Sequence, residues 1–155
     1  MAGTIAARLN ELGIELPKVA TPAGAYVAYT QAGNILFVSG QLPMQNGALS
    51  HTGKVGTDLT VDDGYAGART CALNILAQVQ AACGGDLDRV VRCLKLGGFV
   101  NCGPDFNDHP KVINGASELM LQVFGDAGKH ARFAVGAPSL PLGAAVEVEA
   151  VFELS

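Results

Sequence analysis

Residues 130–150 read HARFAVGAPSLPLGAAVEVEA, two short strand-like runs joined by a turn. In the second run and its continuation, alternation puts Val146, Val148, Ala150 and Phe152 on one face and Glu147, Glu149 and Glu153 on the other. That period of two is the mark of a strand with one buried face. The first run holds a lone cation, Arg132, among Phe, Ala, Val and Gly. Desolvating it without a partner would cost several kcal/mol. Three resolutions are open: an exposed strand end, an ion pair with Glu147 reaching over from the adjacent strand, or a site in which a ligand brings the anion. Glu149 and Glu153 read as solvated.

Working outward, Gly125 closes a run in which Val112, Ala116, Leu119, Met120, Val123 and Phe124 recur at helical spacing. The run predicts a helix from about Asn107 or Asp108, with Pro110 in its first turn. Before it, VVRCLKLGGFVN, residues 90–101, reads as a buried strand. Its Gly97-Gly98 pair marks a bend, a bulge or the close approach of another backbone. A longer helix is predicted from the Thr60 cap of TVDD to Gly84-Gly85, with an apolar stripe of Tyr65, Ala68, Ala72, Ile75, Leu76, Val79 and Cys83. Residues 25–42, AYVAYTQAGNILFVSGQL, predict a hairpin turning at Gly33-Asn34 and starting at Tyr26 and Tyr29, read as core tyrosines. Its end, Ser39-Gly40-Gln41, carries a glycine that lets a backbone or ligand come close.

Residues 42–57 form a polar, glycine-bearing excursion. At the start, Ile5, Leu9 and Leu12 predict a short amphipathic helix over 4–12 that stops at Gly13, followed by an extended arm to residue 22. The order is β-β-α-β-α-β-β, an α+β domain of residues 1–155 in which a mixed sheet carries two helices on one face, because each helix has one apolar stripe to bury.

Composition narrows the function. Of 155 residues, 49% are hydrophobic and 15% charged, against a usual charged share of about a quarter. Such a chain predicts a homo-oligomer. A net charge of −4 offers no field for a phosphate backbone, so no nucleic-acid partner is expected. No apolar run approaches the roughly 18 residues of a membrane span, and the polar start lacks a signal-peptide core, so neither a membrane partner nor export is expected. Cys71, Cys83, Cys93 and Cys102 show no zinc spacing and read as reduced, buried thiols of a cytoplasmic protein. His51, His109 and His130 read as surface or capping residues. There is no P-loop, dinucleotide fingerprint, nucleophile elbow or metal motif.

Three blocks, residues 23–43, 105–125 and 130–150, resemble successive blocks of the RidA family, also called YjgF. The resemblance spans roughly residues 24–153. It implies a chorismate-mutase-like fold and a homotrimer whose sheets pack into a central barrel, with three clefts between subunits. It also implies a cofactor-free enamine/imine deaminase that turns 2-imino acids, such as 2-iminopropanoate from 2-aminoacrylate, into keto acid and ammonia. Arg132 falls on the family's substrate-carboxylate arginine, Glu147 on its acidic residue and Tyr26 on its cleft tyrosine, with Asn114 near the cleft. Ser39, Gly40, Gln41 and Ala134 complete the expected substrate-binding set. The N-terminal helix and the 42–57 excursion place the chain in a longer subgroup, and Ala134 stands where cysteine is usual. A larger unsaturated substrate such as 2-aminomuconate, or non-catalytic binding of small carboxylates, are the alternatives.

Overall fold

Thr60 begins the strongest local element. Its side chain accepts from the Asp63 amide at 3.1 Å while the Asp63 carboxylate accepts from the Thr60 amide at 2.9 Å. This reciprocal capping box satisfies two amides that the first helical turn leaves without partners. The helix runs Val61–Ala82 and is the second, α2, in a computed structural model that describes residues 3–19, 21–22 and 24–155. Met1, Ala2, Ala20 and Ala23, part of the expected helix-and-arm segment and the first family-like block, lie outside the described residues. The other elements are α1 Thr4–Glu11, β1 Tyr29–Ala32, β2 Ile35–Gln41, β3 Met44–Gln45, β4 Ala48–Leu49, β5 Val90–Asn101, α3 His109–Phe124, β6 Ala131–Ala137 and β7 Val146–Leu154.

The expected β-β-α-β-α-β-β order is present, with one addition. Residues 42–57 contain a small hairpin, β3–β4, turning at Asn46-Gly47 with φ of 53° and 83°. Asn-Gly supplies those positive angles at low cost, so the signal was in the sequence. At the start, the Thr4 and Ile5 amides donate to the Asp88 carboxylate at 2.9 and 2.8 Å, anchoring α1 through the positive end of its dipole. Leu9 is buried there, whereas Leu12 is 40% exposed and lies past the end of the helix, outside the buried stripe expected of it.

The main sheet has the order β1-β2-β7-β5-β6. The last strand in sequence is central, antiparallel to both β2 and β5, and its alternate residues Val146, Val148, Ala150, Phe152 and Leu154 are all buried. Phe152→Ala would cost about 3–5 kcal/mol. The expectation that β6 and β7 are adjacent is overturned: β5 lies between them, and β6 pairs with β5 in parallel. The reason is the crossover. β5 returns to β6 through α3, a connection long enough to restore the strand direction, and this parallel unit takes the place beside β5.

Helices α2 and α3 cover one face, contributing Ala72, Ile75, Leu76, Val112, Leu119 and Met120 among others to a shared core cluster. Gly97 and Gly98 mark the close approach of side chains rather than of another backbone, and from both sides. A Cβ on Gly97 would stand 2.5 Å from the Phe133 ring, and one on Gly98 would stand 2.6 Å from three Ile113 atoms of α3. The strand's register shifts fall elsewhere, between Val90 and Arg92 and between Cys93 and Lys95.

No helix among the described residues covers the opposite face. It carries Phe37 and Val135, 49% and 42% exposed, with Phe99 and Phe133 packed edge to face at 5.3 Å. The glutamates there are not simply solvated. Glu153 accepts from Arg92 Nε at 2.8 Å, and Glu149 pairs with Lys95 at 3.5 Å. Cross-strand pairing explains this, because Arg92 sits opposite Glu153. No helix of the described residues is long and apolar enough to cross a membrane.

Candidate functional site

Arg132 sits opposite Leu96, which is buried under the helices. Partners across a ladder share a face, so the arginine points toward α3, where Asn114 and Ser117 stand three residues apart on the facing side. Arg132 Nη1 donates to Asn114 Oδ1 at 2.8 Å and to Ser117 Oγ at 3.1 Å. Ser117 Oγ lies 2.9 Å from His130 Nε2, and His130 Nδ1 lies 2.6 Å from the Gly128 carbonyl. A carbonyl only accepts, so Nδ1 carries a proton. In the neutral imidazole Nε2 then accepts from the Ser117 hydroxyl, whose oxygen remains free to accept from the arginine. The guanidinium is thus held by neutral acceptors. Among the described residues no carboxylate lies within ion-pair distance of it.

Glu147 is opposite Phe99, on the uncovered face. The ion pair considered between Arg132 and Glu147 is excluded within one chain. The two strands are separated by β5, the side chains leave opposite faces, and Leu96 and Phe99 are offset by about 10 Å along β5. Glu147 instead lies against Gly40: a Cβ there would fall 2.4 Å from Oε1. Burial, with a smaller contribution from Glu149, raises its carboxyl above the ordinary carboxylate value. None of the hydrogen bonds among the described residues involves its side chain.

Around Gly40 the chain forms a small pocket of about 150 Å³, walled by Tyr26, Gln41, Leu42, Met44 and Leu142. Gln41 is buried and donates through Nε2 to the Ser39 carbonyl at 3.1 Å. Ser39 ties down the preceding segment, its Oγ donating to the Val27 carbonyl at 3.0 Å and its amide to Ala28 at 2.8 Å. Tyr26 is neither in the hairpin nor in the core; it lies in a bend before β1 and is 54% exposed. Only Tyr29 starts a strand, because β1 reaches its pairing with β2 there.

The expected residues therefore fall into two groups on one chain. Arg132 and Asn114 meet at the β6–α3 groove, with Ala134 next along the same strand face, opposite Gly98. Glu147, Gly40, Gln41, Ser39 and Tyr26 gather around β2. Ser117 and His130 were missed by sequence reasoning, although one lies three residues after Asn114 and the other two before Arg132, spacings that share a face on a helix and on a strand. The histidines are not plain surface residues either. All three are half-buried, with His51 Nδ1 2.7 Å from Ser50 Oγ and His109 Nε2 3.4 Å from Cys102 Sγ. The four cysteines are free and buried. Among the described residues no group of three or more His, Cys, Asp or Glu could hold a metal ion.

Comparison with known proteins agrees with this architecture. Residues 6–154 match the family model described as "YjgF/chorismate_mutase-like, putative endoribonuclease". Protein TCP17 of Trypanosoma cruzi is 53% identical over 155 residues, covering 99% of this chain and 96% of its own, so the match takes in the N-terminal helix and the excursion. The crystal structure of Atu1372, a protein of unknown function from Agrobacterium tumefaciens, superposes with a TM-score of 0.91 at 50% identity, covering 97% of this chain and 92% of its own. The crystal structure of a "putative endoribonuclease" from Shewanella oneidensis superposes with a TM-score of 0.94 at 40% identity, covering 98% of this chain and 100% of its own. With a family match that runs nearly end to end and a sheet carrying two helices on one face, the chain belongs to the RidA/YjgF family, with its chorismate-mutase-like fold.

Proposed function

We propose that this protein is a cofactor-free deaminase of 2-imino acids and their enamine tautomers, working as a homotrimer with its sites between subunits. The observation that carries the reading is Arg132: a half-buried guanidinium oriented by Asn114 and Ser117, with no anionic partner among the described residues. A substrate carboxylate supplies that anion, and the planar guanidinium can grip it with two parallel hydrogen bonds.

The second group of residues supplies the rest. One chain cannot bring Glu147 to Arg132, but Glu147 of the partner subunit could reach it if the uncovered, phenylalanine-bearing sheet faces pack together. The chemistry asks for little more. An enamine takes a proton on carbon to become the iminium, water adds to the iminium carbon, and the carbinolamine expels ammonia to leave the keto acid. A carboxyl held above its ordinary value by burial can take the proton from water and return it to the leaving nitrogen. Tyr26, Gly40 and Gln41 would wall the cleft and hold the imine in position.

Ala134 favours one variation. A small side chain beside the guanidinium leaves room for a substrate longer than 2-iminopropanoate, such as 2-aminomuconate. The endoribonuclease role in the family description finds no support in a chain of net charge −4. The test generates 2-aminoacrylate in situ and follows its loss and ammonia release with and without the protein. Faster loss with stoichiometric ammonia supports the reading; an unchanged rate for this and for longer enamine acids would reduce the protein to a carboxylate binder.

A further inference from the structure

Four residues along β6 from Arg132, about 13 Å away on the same strand face, the fold assembles a second group of reactive side chains. Cys102, just past the end of β5, places Sγ 3.4 Å from Nε2 of His109, the first residue of α3. The imidazole is steadied edge to face against the Phe106 ring, 5.2 Å between centroids at 87°. Opposite both stands Gly136, where a Cβ would lie 2.8 Å from Sγ and 2.8 Å from Nε2. Because that Cβ is absent, thiol and imidazole border an open cavity of about 420 Å³ lined by Pro104, Phe106, Ala137 and Pro138. The nearby Lys54 ammonium is turned to other partners, the Asn101 Oδ1 at 3.0 Å and the Pro138 carbonyl. The remaining cysteines lack this setting. Cys71 and Cys93 point at the carbonyls of Val146 and Lys95, and Cys83 is buried, with none of the histidine hydrogen bonds among the described residues reaching it.

We propose that Cys102 and His109 form a thiol–imidazole site that captures small, flat, neutral electrophiles of the α,β-unsaturated carbonyl class. His109 Nε2 takes the proton from Sγ. The thiolate forms a bond to the β-carbon while the C=C π pair moves through to the carbonyl oxygen as an enolate. The proton then passes from His109 to the α-carbon, so the product is a thioether and no oxidant or leaving group is required. At rest, burial pushes the Cys102 thiol above its ordinary value, outweighing the opposing effects of a backbone hydrogen bond at Ala137 and the Lys54 charge. The sulfur therefore waits as a thiol for the imidazole to take its proton, which limits reaction to molecules that fit against Phe106 and the two prolines.

The site is independent of the deaminase reading, and its test needs no imine. The native, assembled protein is treated with N-ethylmaleimide at neutral pH, sampled by intact mass and mapped by peptide. One adduct per chain is expected, on Cys102, forming at least tenfold faster than on any other cysteine. His109→Asn should slow that adduct at least tenfold while labelling in denaturant is unchanged. Gly136→Ala, which places a methyl group over both atoms, should slow it similarly even if the histidine variant fails to fold. Imine hydrolysis by Cys102→Ser should equal that of the wild type. Labelling spread evenly over the four cysteines, or a Cys102 rate indifferent to both variants, would overturn the proposal.

Discussion

Replacing Arg132 separates binding from folding. In the structure its guanidinium gives the fold two hydrogen bonds, to the neutral acceptors Asn114 and Ser117, at a half-buried groove. The donor is charged, so each is worth about 1.5 kcal/mol, the low end for such bonds at a half-buried site, and Arg132→Ala should lose about 3 kcal/mol and roughly 6–12 °C in Tm for a chain of this size. A buried ion pair broken on one side would cost up to about 5 kcal/mol. The effect on turnover should be far larger. Two charged hydrogen bonds to a substrate carboxylate, at about 1.5–3 kcal/mol each, correspond to roughly a 10²- to 10⁴-fold loss in kcat/KM. Arg132→Lys keeps the charge but not the planar fork and should recover only part of it. The assay is imine hydrolysis beside a thermal melt and light scattering on all three proteins. A folded Arg132→Ala assembly that hydrolyses imine at the wild-type rate would refute the carboxylate role. A melt lowered by tens of degrees would show that the guanidinium is chiefly structural.

Glu147→Gln should lower kcat more than it raises KM, without loss of stability. The Glu147 carboxyl lies above its ordinary 4.5 through burial and Glu149, so the folded state binds its proton more tightly than the unfolded one. Wild-type stability then falls as pH rises from 4.5 through the raised value, and the glutamine variant, which lacks that proton, should gain relative stability over that window; melts across pH 4–8 check the sign. Gly98→Ala drives a methyl group into Ile113 and should cost about 1–3 kcal/mol in a denaturant titration. The shift of α3 should also weaken substrate binding through Asn114. Phe37→Glu or Val135→Lys, on the uncovered sheet face, should dissociate the proposed trimer in light scattering and abolish hydrolysis with it; a trimer unaffected by both would place the subunit contacts elsewhere.

Much of the fold was legible because it rests on local rules. The Thr60 capping box, the Gly84-Gly85 and Gly125 stops, the Gly33-Asn34 turn and the alternation in VEVEAVFEL each act within a few residues, so periodicity and caps identify them. The Asn46-Gly47 hairpin was equally local and was passed over inside a polar stretch. The residues of the candidate site were legible only as a set. Asn114 beside Arg132 requires α3 to lie over β6, and Ser117 with His130 completes that contact only once both elements are packed. Neighbours in sequence proved a poor guide to neighbours in the sheet. The run that suggests a β6–β7 hairpin says nothing of β5, which enters between them because the helical crossover through α3 restores strand direction. Elements and their buried faces follow from short-range sterics and from the spacing of apolar residues, and the sequence by itself determined them. Strand order, the opposite facing of Arg132 and Glu147, and the room left by Gly40 and Gly136 depend on contacts between residues far apart in the chain, and only the tertiary structure decided them.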